Sequence, residues 1–180
     1  MKKLLYALLA TGLVACGKND SQKLGPNQLM ANDFEAIDGW AGTMNSPSLT
    51  KEKAHSGRYA LKVGPDAEYS LGYDILLGKL SPSKLKKIKV TAWGMLPNGH
   101  AAATLAVILT DPATPDAKPL MWEGLDLNKE IKTYNKWVKL EKTITLPENA
   151  SYAHRFTIYL WRTEATETAY LDDILVEKVD

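Results

Sequence analysis

Short runs in which apolar and polar residues alternate recur from residue 58 to the end of the chain, and no stretch keeps apolar residues at helical spacing. Period two marks a strand with one face in a core and the other in water. The clearest runs are RYALKV (58–63), YSLGYDI (69–75), KIKVTAWGM (87–95), ATLAVILT (103–110), WVKLEKTITL (137–146), RFTIYLW (155–161) and AYLDDILVEKV (169–179). Between them VGPDAE, LPNGH, TDPATPDAKP and LPENAS are rich in turn formers. SPSKLKK and DLNKEIKTY each have room for one helical turn. The pattern predicts an all-β domain over residues 30–180, two antiparallel sheets packed face to face as a β-sandwich or jelly roll. No internal repeat or low-complexity segment divides it.

Strand parity sorts side chains onto faces. In RFTIYLW, Phe156, Ile158 and Leu160 share the core face, which leaves Arg155, Thr157, Tyr159 and Trp161 on the other. In KIKVTAWGM, Ile88, Val90 and Ala92 point inward and Lys89, Thr91, Trp93 and Met95 outward. If these two strands are neighbours in one sheet, Trp93, Tyr159 and Trp161 form an aromatic surface with Arg155 and Thr157 as donors. Such a surface suits stacking on a sugar ring and bonding to its hydroxyls. Trp122, in LMWEGLDL after a Pro-rich loop, either lines that surface from above or packs. The alternative is that loops cover Trp93 and Trp161 as a second small core, or that Tyr159 is an ordinary outward strand tyrosine. Five tryptophans and eight tyrosines against two phenylalanines favour aromatics with a polar handle.

In AYLDDILVEKV, alternation puts Asp172 in one row with Ile174 and Val176, and Asp173 on the opposite face. A carboxylate in a core-facing row must be paired or bound to a cation. Calcium takes oxygen ligands, many of them carbonyls, and a turn through Ser56-Gly57 can present carbonyls without side-chain bulk. The alternative is that Asp172 pairs with Arg58 or Lys62, or caps the strand in solvent.

The start of the chain is not part of this pattern. Lys2 and Lys3 precede an apolar run of 11 residues, Leu4 to Val14, too short for the roughly 20 that a helix needs to cross a bilayer. The run closes as LVAC, with Cys16 the only cysteine. Basic start, apolar run, Leu13, Ala15 and Cys16 together resemble the lipobox of bacterial lipoproteins. That resemblance implies a signal peptide over 1–15, a diacylglyceryl anchor on Cys16 and a flexible tether over 16–29. By the sorting rule of enteric bacteria, glycine after Cys16 implies the outer membrane. Removing residues 1–15 leaves 20 basic against 21 acidic residues, a charge of −1 that provides no footprint for nucleic acid.

Four pieces then follow in order: NDFEAIDGW, AHSGRYALKV, WVKLEKTITLP and YLDDILVEKV. Together they resemble the galactose-binding-like jelly rolls of non-catalytic carbohydrate-binding modules, over nearly all of residues 30–180. The resemblance implies a structural calcium ion where the first and last strands meet the His-Ser-Gly turn. Its ligands here would be Asp172, carbonyls of the turn at Ser56, and a carboxylate of NDFE, Glu35 first and Asp33 second. His55 then packs or hydrogen-bonds, since calcium prefers oxygen. The resemblance also places Trp40 and Trp137 at strand edges over the core.

Catalytic chemistry finds little purchase. His55, His100 and His154 show no metal-ligand spacing, and there is no Gly-x-Ser-x-Gly elbow or phosphate loop. Asp172 and Asp173 project to opposite faces and cannot flank one glycosidic bond. Glu164 and Glu167 read as solvated residues of a hairpin tip. The expected function is a lipid-anchored, non-catalytic carbohydrate-binding protein of the cell envelope, with a glycan on Trp93, Trp122, Arg155, Tyr159 and Trp161. The alternative is an envelope adaptor or structural lipoprotein that holds a protein partner through the same surface.

Overall fold

In the run 155–161, Phe156, Ile158 and Leu160 are buried and the residues between them are not, as the period-two pattern requires. The same alternation organises the rest of the computed structural model, which describes residues 24–37 and 46–179. Cys16 and Trp40, with the leader and most of the tether, lie outside the described residues. The strands are β1 (Gln28–Asn32), β2 (Leu49–Thr50), β3 (Ala60–Val63), β4 (Tyr73–Leu76), β5 (Lys87–Met95), β6 (Thr104–Thr110), β7 (Met121–Asp126), β8 (Val138–Thr145), β9 (Arg155–Trp161) and β10 (Ala169–Val179). Two single-turn helices, α1 (Leu77–Leu80) and α2 (Leu127–Glu130), sit between strands. The turn expected over SPSKLKK forms earlier, in α1; the one expected over DLNKEIKTY is α2.

The strands make two antiparallel sheets. One runs β2-β3-β10-β5-β8, with β1 added beside β10, and the other β4-β9-β6-β7. Leu61, Ile88, Val90 and Leu140 from the six-stranded sheet meet Leu105, Val107, Phe156 and Leu160 from the four-stranded sheet in one core. This is the two-sheet jelly-roll sandwich that the alternation predicts. The segment carrying Glu164 and Glu167 joins β9 in one sheet to β10 in the other, so it is a crossing between sheets and not a hairpin tip.

The open side between β7 and β8 is closed by charge. Lys142 follows the inward parity of β8, and its ammonium reaches Glu123 at 2.8 Å and the carbonyl of Gly124 at 2.8 Å. An inward charge at a sheet margin discourages further strand addition.

Two register slips overturn simple parity. On β10, Asp172 faces Trp93 but Leu175 faces Thr91, so one extra residue bulges out and Asp173 takes a φ of 49°. After the bulge Ile174 and Val176 point into the core, whereas before it Asp172 shares the outer face with Trp93. The expectation that Asp172 stands in the core row is therefore wrong by one residue. On the chain before β4, Tyr69 faces Trp161 and Tyr73 faces Ile158, four steps against three. That slip turns Tyr69 onto the outer face with Tyr159 and Trp161.

Candidate functional site

Trp93 lies on β5 in the six-stranded sheet and Trp161 on β9 in the four-stranded sheet. The expected five-residue surface thus splits. β9 has β4 and β6 as neighbours, and β5 has β8 and β10, because the chain crosses between sheets after each of them. Trp122, Arg155, Tyr159 and Trp161 remain together on the outer face of the four-stranded sheet, and Trp93 belongs to the opposite side of the molecule.

That outer face is built in cross-strand rows. The first is Asp74, Thr157, Ile108 and Trp122, one residue from each of β4, β9, β6 and β7. The next places Tyr159 beside Ala106 and Gly124, and the third places Trp161 between Tyr69 and Thr104. Small residues in the middle row let large ones lie over them. The indole of Trp122 covers Gly124, where an added Cβ would come within 2.9 Å of it. Trp122 is still 50% exposed and Tyr69 53%. Tyr69 meets Tyr159 edge to face at 5.8 Å, an arrangement that rings favour. A hydrogen bond with the Glu68 carboxylate holds the Tyr69 phenol above its ordinary pKa. Trp161 is half-buried, and its indole N–H is buried without a partner.

Arg155 and Thr157 reach this face but are not idle. Arg155 makes an ion pair with Asp74, and the Thr157 hydroxyl donates to Asp74 Oδ2 at 3.0 Å. The guanidinium keeps further N–H groups for a ligand. Sequence reasoning missed both Asp74 and Tyr69. The signal for Asp74 was the pairing of YSLGYDI with RFTIYLW, which a sequence does not display.

The second expected site is the junction of the 53–59 turn with β10. Asp172 is fully buried there, and Asp172 Oδ2 accepts the backbone N–H of His55 at 2.8 Å and of Ser56 at 3.2 Å. Asp172 Oδ1 accepts the N–H of Asp173 at 2.8 Å. Asp173 takes the Ser56 hydroxyl at 2.7 Å on one oxygen and His55 Nδ1 at 2.6 Å on the other. Glu35 Oε1 accepts N–H from Arg58 at 2.6 Å and Tyr59 at 2.7 Å. Gly57, with φ 56°, lets the turn close onto Glu35, whose Cδ would sit 2.4 Å from an added Cβ. Asp33 Oδ1 accepts the Glu35 N–H at 3.2 Å.

The turn therefore aims N–H groups at carboxylates, where a calcium cage needs carbonyl oxygens aimed at a shared centre. Among the described residues, no group of three or more His, Cys, Asp or Glu side chains comes together to hold a metal ion. Glu35, Asp33, Ser56 and Asp172 in this arrangement do not fit calcium. Arg58 and Lys62 turn to Glu35 and Glu52, so neither is the expected partner of Asp172. Burial pushes the Asp172 carboxyl up to about 6, against the pull of the three amides. His55 stacks on Trp93 at 3.9 Å and meets Trp137 edge-on at 5.8 Å, so Trp137 packs against the turn and not over the core.

No protein-family model matches the chain, and no curated protein matches it. Solved structures do. The chain is similar to the xylan-binding domain CBM22-1 of Xyn10C from Paenibacillus barcinonensis, with a TM-score of 0.53 and 19% identity over 86% of this chain and 96% of that domain. Against the tandem of CBM22-1 and CBM22-2 from the same protein the TM-score is 0.58, at 18% identity, over 89% of this chain and 52% of that one. The CBM22-1 and GH10 modules of the endo-1,4-β-D-xylanase 10B of Clostridium thermocellum, solved with xylohexaose, give 0.56 at 14% identity over 87% of this chain and 29% of that one. At such identities the likeness is one of fold, and the fold is a jelly roll shared with carbohydrate-binding modules.

Proposed function

We propose that the outer face of the four-stranded sheet binds a polysaccharide chain without cleaving it. The observation that carries this reading is the half-exposed indole of Trp122 lying across Gly124, with only β6 between its strand and that of Tyr159 in the Tyr69–Tyr159 pair. The exposed rings of Trp122 and Tyr69, on either side of the buried Ala106, offer flat apolar area for the CH faces of successive sugar rings. Asp74, with Arg155 and Thr157 on it, supplies an acceptor and donors at the margin for hydroxyls. Fold similarity to xylan-binding modules makes a β-1,4-linked neutral glycan the first ligand to try.

The basic start, apolar run and Cys16 support a lipid-anchored envelope protein, with the outer membrane as its destination. Labelling with palmitate that is lost on Cys16→Ser tests the anchor. For the glycan site, calorimetric titration of the full chain with xylohexaose, backed by a glycan array, is decisive. Trp122→Ala should abolish binding while the melting temperature stays unchanged. If no glycan binds, and a stoichiometric envelope protein is retained instead, the adaptor alternative replaces this reading.

A further inference from the structure

Trp93, displaced from the platform, lines a groove of about 460 Å³ on the opposite face of the sandwich. The floor is Thr91 and Leu175, which face each other across β5 and β10, and the walls include Lys89, Lys139, Asp173 and Glu177. Trp93 and Lys139 are direct cross-strand partners, so indole and ammonium stand side by side. One face of the indole is stacked on His55, which holds the ring in position at the groove wall.

Three carboxylates line this groove, Asp33, Asp173 and Glu177, and each already holds a donor: Asp33 Oδ1 takes the Glu35 N–H at 3.2 Å. Both Asp173 oxygens are taken by Ser56 and His55, and Glu177 is paired with Lys89 at 3.0 Å. Lys139 is different: its side chain is 55% exposed, and the Glu141 carboxylate stands off at 3.8 Å, beyond hydrogen-bond reach. The groove therefore offers an aromatic wall and one cation with little to hold. That combination matches a ring with an apolar CH face and one carboxylate.

We infer that this groove is a second binding site, for an acidic saccharide of the hexuronate class, with Trp93 stacking on the sugar ring and Lys139 binding its carboxylate. The site is independent of the platform, because the two faces point away from each other on opposite sheets.

Titration of the full chain with trigalacturonate, and with neutral galactotriose as control, tests the inference. Trigalacturonate should bind, and Lys139→Gln should weaken it about tenfold or more, the worth of a lost charge-assisted hydrogen bond. Raised salt should weaken it as well. Trp93→Phe, which keeps an aromatic wall, should weaken it less than Trp93→Ala, and Trp122→Ala should leave it unchanged. Lys139 is exposed, so Lys139→Gln should melt as the wild type does. Absent trigalacturonate binding, equal binding of galactotriose, or a loss that follows Trp122→Ala instead of Lys139→Gln overturns the second site. Xylohexaose titrated into the same variants reports on the platform separately, so either reading can fail while the other stands.

Discussion

The carboxylate of Asp172 accepts the backbone N–H of His55 at 2.8 Å although 117 residues separate them. With the N–H groups of Ser56 and Asp173 on the same carboxylate, this contact fastens the 53–59 turn to the last strand from a fully buried position. Asp172→Ala would leave three amides in a dry site with nothing to bond. At about 1–3 kcal/mol for each orphaned group, partly relieved by relaxation, a loss of about 3–5 kcal/mol is expected in urea unfolding. A loss under about 1 kcal/mol would show that the turn does not depend on this carboxylate.

The same residue sets a pH dependence. Burial raises the Asp172 carboxyl from 3.8 to about 6, with the amides of Ser56, His55 and Asp173 opposing and the Asp173 charge adding. Between about pH 4 and 6 the folded chain thus keeps a proton that the unfolded chain has released. Stability falls as pH rises through that window, since the folded state binds more protons there. Asp172→Asn cannot titrate. Subtracting its stability curve from that of the wild type should leave a decline confined to this window; coincident curves would remove Asp172 as its source.

Calcium is decided by chelation. Because N–H and O–H groups occupy both oxygens of Asp172 and Asp173 and Oε1 of Glu35, EGTA should leave the melting temperature of the full chain unchanged. A fall of several degrees, restored by added calcium, would mean that the ion displaces these donors and reorganises the turn.

What could be read from the sequence was local and periodic. The strands 87–95, 155–161 and 169–179 have the expected bounds, and Phe156, Ile158, Leu160, Ile88, Val90 and Ala92 are buried as parity demands. β7 was missed because MWEGLD is short, carries a glycine and follows a Pro-rich loop. What parity could not reveal is where it slips, and two of the errors at the candidate sites come from slips. The bulge at Asp173 moved Asp172 off the core face, and the extra residue between Tyr69 and Tyr73 brought Tyr69 onto the platform. Strand order was equally hidden: alternation says which face Trp93 and Trp161 occupy within their sheets, not which sheet each joins.

Gly57 answers for the shape of the His-Ser-Gly turn. Its φ of 56° is the left-handed region that side chains resist, and an added Cβ would overlap the Glu35 carboxyl at 2.4 Å. Gly57→Ala must either strain the turn or expel Glu35 from the amides of Arg58 and Tyr59. An expected cost of about 2–4 kcal/mol in thermal or urea unfolding follows, above the usual effect of a surface substitution. Glu35→Gln, which keeps an acceptor and the volume, should cost less.

Trp161 and Trp122 share a face but not a role. Trp122 is 50% exposed and rests on a glycine, so its removal takes away ligand surface and little packing. Trp161 is half-buried between Tyr69 and Thr104, with its indole N–H enclosed and unpartnered. Trp161→Ala should therefore lower stability by about 2–4 kcal/mol, in the range of large aromatic truncations, as well as weakening xylohexaose. Trp161→Phe removes the orphaned N–H while keeping a ring, so the donor it deletes offsets part of the lost area. Its cost should be less than half that of the alanine variant. If Trp161→Phe is as damaging as Trp161→Ala, the indole N–H has a partner that matters to the fold, and the platform is more tightly built than its exposed rings suggest.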